Sequence, residues 1–138
     1  MRYFLLLILL LSTMWVTGQD YTPRFESDEC PYFMQRMADD ADARISCGWL
    51  HVPEDRNNPD DGLMVRLFVV QLDSVEDNNH APFVYLEGGP GGAASVLLEE
   101  WLDSAIHQMY DVILIDQRGT GLSYPSLNCP EMDDSDEL

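Results

Sequence analysis

Residues 83–123 constrain what the rest of the chain can fold into. Phe83–Leu86 is a short apolar run that enters Glu87-Gly88-Gly89-Pro90-Gly91-Gly92. A helical stretch follows, and a second apolar run, Val112–Ile115, ends at Asp116-Gln117-Arg118-Gly119. Strand, glycine turn, helix, strand is a βαβ unit, which calls for a parallel sheet covered by helices. Consecutive glycines after a strand let the backbone turn sharply and leave no Cβ in the way of an approaching group. Backbone N–H groups in such a turn, beside a helix N-terminus, can hold negative charge. Between the two apolar runs Ala94, Leu97, Leu98, Trp101, Leu102, Ala105, Ile106 and Met109 recur at helical spacing. That spacing predicts one helix with these residues facing the sheet.

Upstream of the unit, Ile45–Val52 reads as a strand stopped by Pro53, and Leu63–Leu72 as a longer, more apolar strand. The segment between them, Glu54–Gly62, is dense in Asn, Asp, Pro and Gly, so the pair is expected to form an antiparallel hairpin. That segment superficially resembles a calcium loop. Pro59 stands where an oxygen ligand is needed, however, and no glutamate closes the loop, so a turn is expected and no metal site. Residues 19–44 are polar and are expected to be an irregular lead-in with a short helix around Pro31–Ala43. Residues 1–18 have the layout of a secretory signal peptide: Arg2, the unbroken apolar run Phe4–Leu11, then Val16-Thr17-Gly18 before Gln19. The apolar run is shorter than the roughly 20 residues a spanning helix needs. The expected organisation is therefore a signal peptide over 1–18, a lead-in over 19–44 and an α/β unit over 45–138. A secreted or periplasmic product with no stable membrane association after cleavage is expected.

With 25 acidic against 7 basic residues the formal net charge is −18. Such a surface repels nucleic acid and anionic lipid, and neither is expected as a partner. Export permits disulfides, and the three cysteines show no Cys-x-x-Cys spacing of a zinc or redox site. A disulfide between Cys30 and Cys47 is expected, with Cys47–Cys129 as the main alternative.

Two chemistries use a glycine turn of this kind. Gly89-Pro90-Gly91-Gly92-Ala93-Ala94 fits the G-x-G-x-x-A dinucleotide fingerprint, with Asp116 ending the next strand. Yet Asp116 lies further along than the usual spacing of about 20 residues, and an antiparallel hairpin precedes the fingerprint strand. In the other chemistry the turn is an oxyanion hole, whose N–H groups face the negative oxygen of a tetrahedral intermediate. In α/β-hydrolases one such N–H comes from the loop after the third strand.

The motifs EGGPGG and DQRGTGLS, with an opening strand running from Cys47 to Val52-Pro53-Glu54-Asp55, resemble the proline iminopeptidase and tripeptidyl-aminopeptidase branch of the α/β-hydrolases. The three occur in the family's order over roughly residues 45–130. The resemblance implies the N-terminal portion of that fold: an antiparallel hairpin, a third strand, helix A and a fourth strand, with an incomplete sheet. It implies a serine hydrolase, most nearly an aminopeptidase, that removes residues or short peptides from a free N-terminus, without a cofactor. Gly88 and Gly89 would form the oxyanion-hole turn, with the Gly89 N–H as donor, and Pro90 would fix the loop. Asp116 and Arg118 would be structural. Glu87 departs from the histidine of many proline iminopeptidases, so proline specificity does not carry over. The nucleophile elbow G-x-S-x-G is absent from these 138 residues. Gly121-Leu122-Ser123 begins such a pattern, but Pro125 stands where its second glycine belongs, so Ser123 is expected to be a loop serine. The acid and base follow the nucleophile in this fold, so no triad residue is assigned, and His51, His80 and His107 are expected in ordinary roles. The expected product is the N-terminal part of a longer hydrolase. A non-catalytic binding module of the same fold is the second reading, and a dinucleotide enzyme the third.

Overall fold

The computed structural model describes residues 22–59, 62–76 and 79–127. The segment expected to be a signal peptide, Cys129 and the acidic end lie outside these. The elements are β1 (Arg24–Asp28), α1 (Tyr32–Asp40), β2 (Ile45–Pro53), β3 (Met64–Leu72), β4 (Phe83–Tyr85), α2 (Leu98–Leu102), α3 (Ala105–Met109) and β5 (Val112–Ile115). A 3₁₀ turn over Ala94–Leu97 leads into α2. The five strands form one sheet in the order β1-β2-β3-β5-β4, with every pair antiparallel except β4 and β5.

The hairpin has nine-residue arms, registered from Ile45 opposite Leu72 to Pro53 opposite Met64. At its turn Asp55 accepts from the Asn57 N–H at 2.8 Å, a bond that favours chain reversal over strand. Register aligns side chains into rows across the sheet. Phe83, Val112, Leu72 and Ile45 form one row, and Tyr85, Leu114, Val70 and Cys47 the next. Because alternate residues share a face, both rows meet the same layer of helices. Met34 of α1, Ala94 of the 3₁₀ turn, and Leu98 and Leu102 of α2 complete that core.

The lead-in is not irregular. Arg24–Asp28 adds a strand to the edge of the sheet, pairing with Cys47–His51. All five of its residues are exposed, so it lacks the apolar alternation by which a strand is recognised. A disulfide joins Cys30 to Cys47, 17 residues apart, and draws β1 and α1 onto β2. Closing a loop of that size stabilises by about 3 kcal/mol in the chain-entropy account.

The expected single helix is interrupted. Asp103 and Ser104 separate α2 from α3, and the Ser104 hydroxyl caps α3 by accepting from the His107 N–H at 3.1 Å. Serine favours such a cap over a helix interior because its hydroxyl competes for nearby backbone groups. The break turns α3 out of the original register. Met109 is consequently 48% exposed while His107 is buried, its two ring nitrogens each 3.0 Å from a carbonyl oxygen, of Leu102 and Asp73. The start of β5 is tied to the loop before β4, where the Ser74 N–H donates to Asp111 at 2.8 Å. That bond holds the Asp111 carboxyl below the usual carboxylate range. Its contribution is therefore present at neutral pH and fades as the pH falls through the lowered value.

Val112–Ile115 lies inside the sheet, not at its rim. Among the described strands the open edge beyond the crossover is β4, with Phe83 40% and Val84 52% exposed. An apolar edge of this kind invites pairing with another strand.

Candidate functional site

The site grows from the end of β4. Glu87 leads into Gly88–Gly92, where the Gly89–Pro90 peptide is cis and Gly89 and Gly91 have φ of 131° and 85°. These dihedrals belong to glycine, since a Cβ is strained there. The Gly92 N–H donates to the Gly88 carbonyl at 3.0 Å and closes the turn. Gly88, Gly89 and Gly91 are exposed, and their N–H groups have no partner among the described residues. The turn thus presents backbone donors to whatever enters beside it.

What fixes the turn lies one strand away. Asp116, at the end of β5, is fully buried. One carboxylate oxygen accepts from the Ser95 N–H at 2.8 Å. The other accepts from the Ser95 hydroxyl at 2.7 Å and from the Leu122 N–H at 2.9 Å. A single side chain therefore ties the 3₁₀ turn that follows the glycines to the loop after β5. Gly121 makes room for it, because a Cβ at that position, where φ is 51°, would collide with the Asp116 carboxylate. The Ser123 hydroxyl donates to the Asp116 carbonyl at 2.7 Å and accepts from the Phe68 N–H at 2.9 Å, which fastens the loop to β3. Arg118 donates to the Glu54 and Pro53 carbonyls at 2.6 and 3.0 Å and satisfies the end of β2. Arg66 lies between the rings of Trp49 and Tyr124, 5.1 and 5.2 Å from their centroids.

Beside the turn is an open cleft of about 380 Å³, lined by Glu87, Gly91, Gly92, Gln117, Arg118, Gly119, Thr120 and Leu127. The Gln117 side chain donates to the Glu87 carbonyl, and the Tyr85 hydroxyl donates to the Glu87 carboxylate. That hydrogen bond, above all, pushes the Tyr85 hydroxyl above its ordinary value, so it remains a donor at neutral pH. The histidines make their contacts elsewhere: His51 with Glu26, His80 with the Tyr110 ring, and His107 with two carbonyls. Among the described residues no cluster of three or more His, Cys, Asp or Glu could hold a metal ion, and no helix is long and apolar enough to cross a membrane.

Of the residues singled out in the sequence, Gly88, Gly89, Asp116 and Arg118 lie on the two loops that meet at this cleft or directly behind it. Ser95, Tyr85 and Gln117 were not legible as participants. The one available signal was that helix starts and strand ends meet on the same side of a parallel pair, which sets Ser95 near Asp116.

An open sheet with one parallel crossover, a glycine turn after the edge strand and a buried aspartate behind it is part of an α/β-hydrolase fold. No family model matches the chain. Comparison with individual proteins finds relatives over parts of their length. Proline iminopeptidase aneH of Aspergillus aculeatus is 41% identical over 78 residues, which cover 54% of this chain and 17% of that protein. "Probable proline iminopeptidase" of Streptomyces coelicolor is 44% identical over 52 residues, covering 38% of this chain and 15% of that protein. "Putative hydrolase YuaR" of Escherichia coli is 24% identical over 140 aligned positions, covering 91% of this chain and 27% of that protein. The chain is thus related to the proline iminopeptidases, and it spans only about a sixth to a quarter of the length of these relatives.

Proposed function

We propose that this chain supplies the oxyanion loop of an exported serine aminopeptidase, a hydrolase that removes residues from unblocked peptide N-termini. Gly88 and Gly89 would donate their N–H groups to the oxygen that becomes negative during acyl transfer, with the triad provided by sequence outside these 138 residues. The observation that carries the reading is the exposed turn whose Gly88 and Gly89 N–H groups have no partner among the described residues. Its support is the match to proline iminopeptidases. Removing one such donor typically costs about 10²–10³ in kcat, which sets the scale of a test. A proline iminopeptidase whose corresponding stretch is replaced by residues 83–123 should keep aminoacyl-anilide hydrolysis within about tenfold of the parent. A folded chimera that fell by the full cost of a missing donor would show that the turn does not serve as one.

Export rests on the layout of residues 1–18. N-terminal sequencing of material recovered outside the cytoplasm should begin at Gln19 or within a residue or two of it. A start at Met1 would contradict cleavage there.

A further inference from the structure

The cleft holds one group that the oxyanion role leaves unused, the carboxylate of Glu87. Its side chain folds back along the turn, so that a Cβ on Gly92 would lie 2.6 Å from its Cγ and 3.6 Å from its Cδ. Tyr85 holds one carboxylate oxygen and Gln117 the backbone carbonyl. Among the described residues the other carboxylate oxygen has no hydrogen-bond partner, and no basic side chain pairs with it. Glu87 is thus a positioned anion on a cleft wall, with a free oxygen.

An anion there opposes a developing oxyanion at Gly89, unless a cation sits beside both. An α-aminoacyl group brings that cation on the atom next to its carbonyl carbon. With the ammonium on Glu87, whose side chain lies along the turn at Gly92, the neighbouring carbonyl can reach the glycine turn. A tripeptidyl substrate would carry its ammonium two residues further from the scissile carbonyl, roughly 7 Å at full extension, and could not satisfy both groups in this way. We propose that Glu87 is the specificity-determining residue that receives the substrate's α-ammonium group, so that the site takes a single unblocked N-terminal residue. This rests on the reading of Gly88 and Gly89 as oxyanion donors. The substrate's own charge is then part of the site, since a blocked N-terminus leaves the carboxylate beside the turn without a cation.

The test is amide chemical-shift titration of the full ¹⁵N-labelled chain with L-alaninamide, N-acetyl-L-alaninamide and methylphosphonate, the last as a tetrahedral anion. L-alaninamide should shift the Gly88–Gly92 amides and the acetylated amide should not. Glu87→Gln should weaken alaninamide at least tenfold while strengthening methylphosphonate, because the competing charge is gone. Equal responses to the two amides, including none to either, overturn the ammonium site, as does unchanged alaninamide affinity in Glu87→Gln. In those cases a methylphosphonate response at Gly88 and Gly89 leaves the donor reading standing. Absence of that response in both proteins defeats the donor reading and this inference with it. Should Glu87→Gln not give a dispersed spectrum, the free and acetylated amides on the unaltered chain decide alone.

Discussion

Asp116→Ala is expected to lower the free energy of unfolding by about 3–5 kcal/mol, the scale for removing one partner from a buried, charged hydrogen-bond set. The carboxylate is fully buried and receives three donors, the Ser95 N–H, the Ser95 hydroxyl and the Leu122 N–H. Alanine leaves all three without an acceptor, and each buried orphan costs about 1–3 kcal/mol. The losses overlap because the groups share one site, so they do not simply add. Native domains are stable by only about 5–15 kcal/mol, so the substitution removes a large part of the margin. Ser95→Ala deletes one donor and should cost about 1 kcal/mol, since Asp116 retains its two backbone partners. Urea unfolding followed by far-ultraviolet circular dichroism measures both. With m of about 1–3 kcal/mol per molar, Asp116→Ala should move the midpoint down by at least about 1 M. A shift as small as that of Ser95→Ala would mean that the carboxylate is not what ties the two loops together.

How much of this was legible in the sequence follows from which forces leave a pattern. The hairpin and the two βαβ strands are apolar runs bounded by turn residues. Burying such runs is what chiefly drives folding, so their positions emerge from the sequence directly. β1 is held by backbone bonds to β2 and by the Cys30–Cys47 link, with no buried side chain, so it leaves no apolar signature. The helix break at Asp103-Ser104 is a local contest, in which a hydroxyl cap beats continued periodicity and moves His107 inward in place of Met109. At the site the glycine turn and Asp116 stand out as motifs. The partners of Asp116 do not, because Ser95 reaches it only through the crossover and Leu122 only because the loop after β5 turns back on itself. Glu87 could be seen as a departure from a family pattern, but its hold by Tyr85 could not, since that depends on where the edge strand ends.

The 138-residue chain by itself is expected to release no detectable product from aminoacyl or tripeptidyl anilides. A serine becomes a nucleophile when a base within hydrogen-bond reach takes its proton. The two serines that fasten the loops behind the cleft are committed otherwise. The Ser95 hydroxyl donates to the Asp116 carboxylate at 2.7 Å, and the Ser123 hydroxyl donates to the Asp116 carbonyl at 2.7 Å while accepting from the Phe68 N–H. Both are buried, and neither bonds a histidine. Backbone donors alone cannot make up the difference. Losing a catalytic serine or histidine costs on the order of 10⁶ in kcat where it has been measured, against about 10²–10³ for one oxyanion donor. Anilide turnover and labelling by a serine-directed fluorophosphonate are the two measurements, each compared with a proline iminopeptidase at equal concentration. Turnover that disappears on labelling, with the label on Ser95 or Ser123, would show that one of these hydroxyls leaves its Asp116 bond to act as the nucleophile, and the assignment of both as loop-fastening serines would fall.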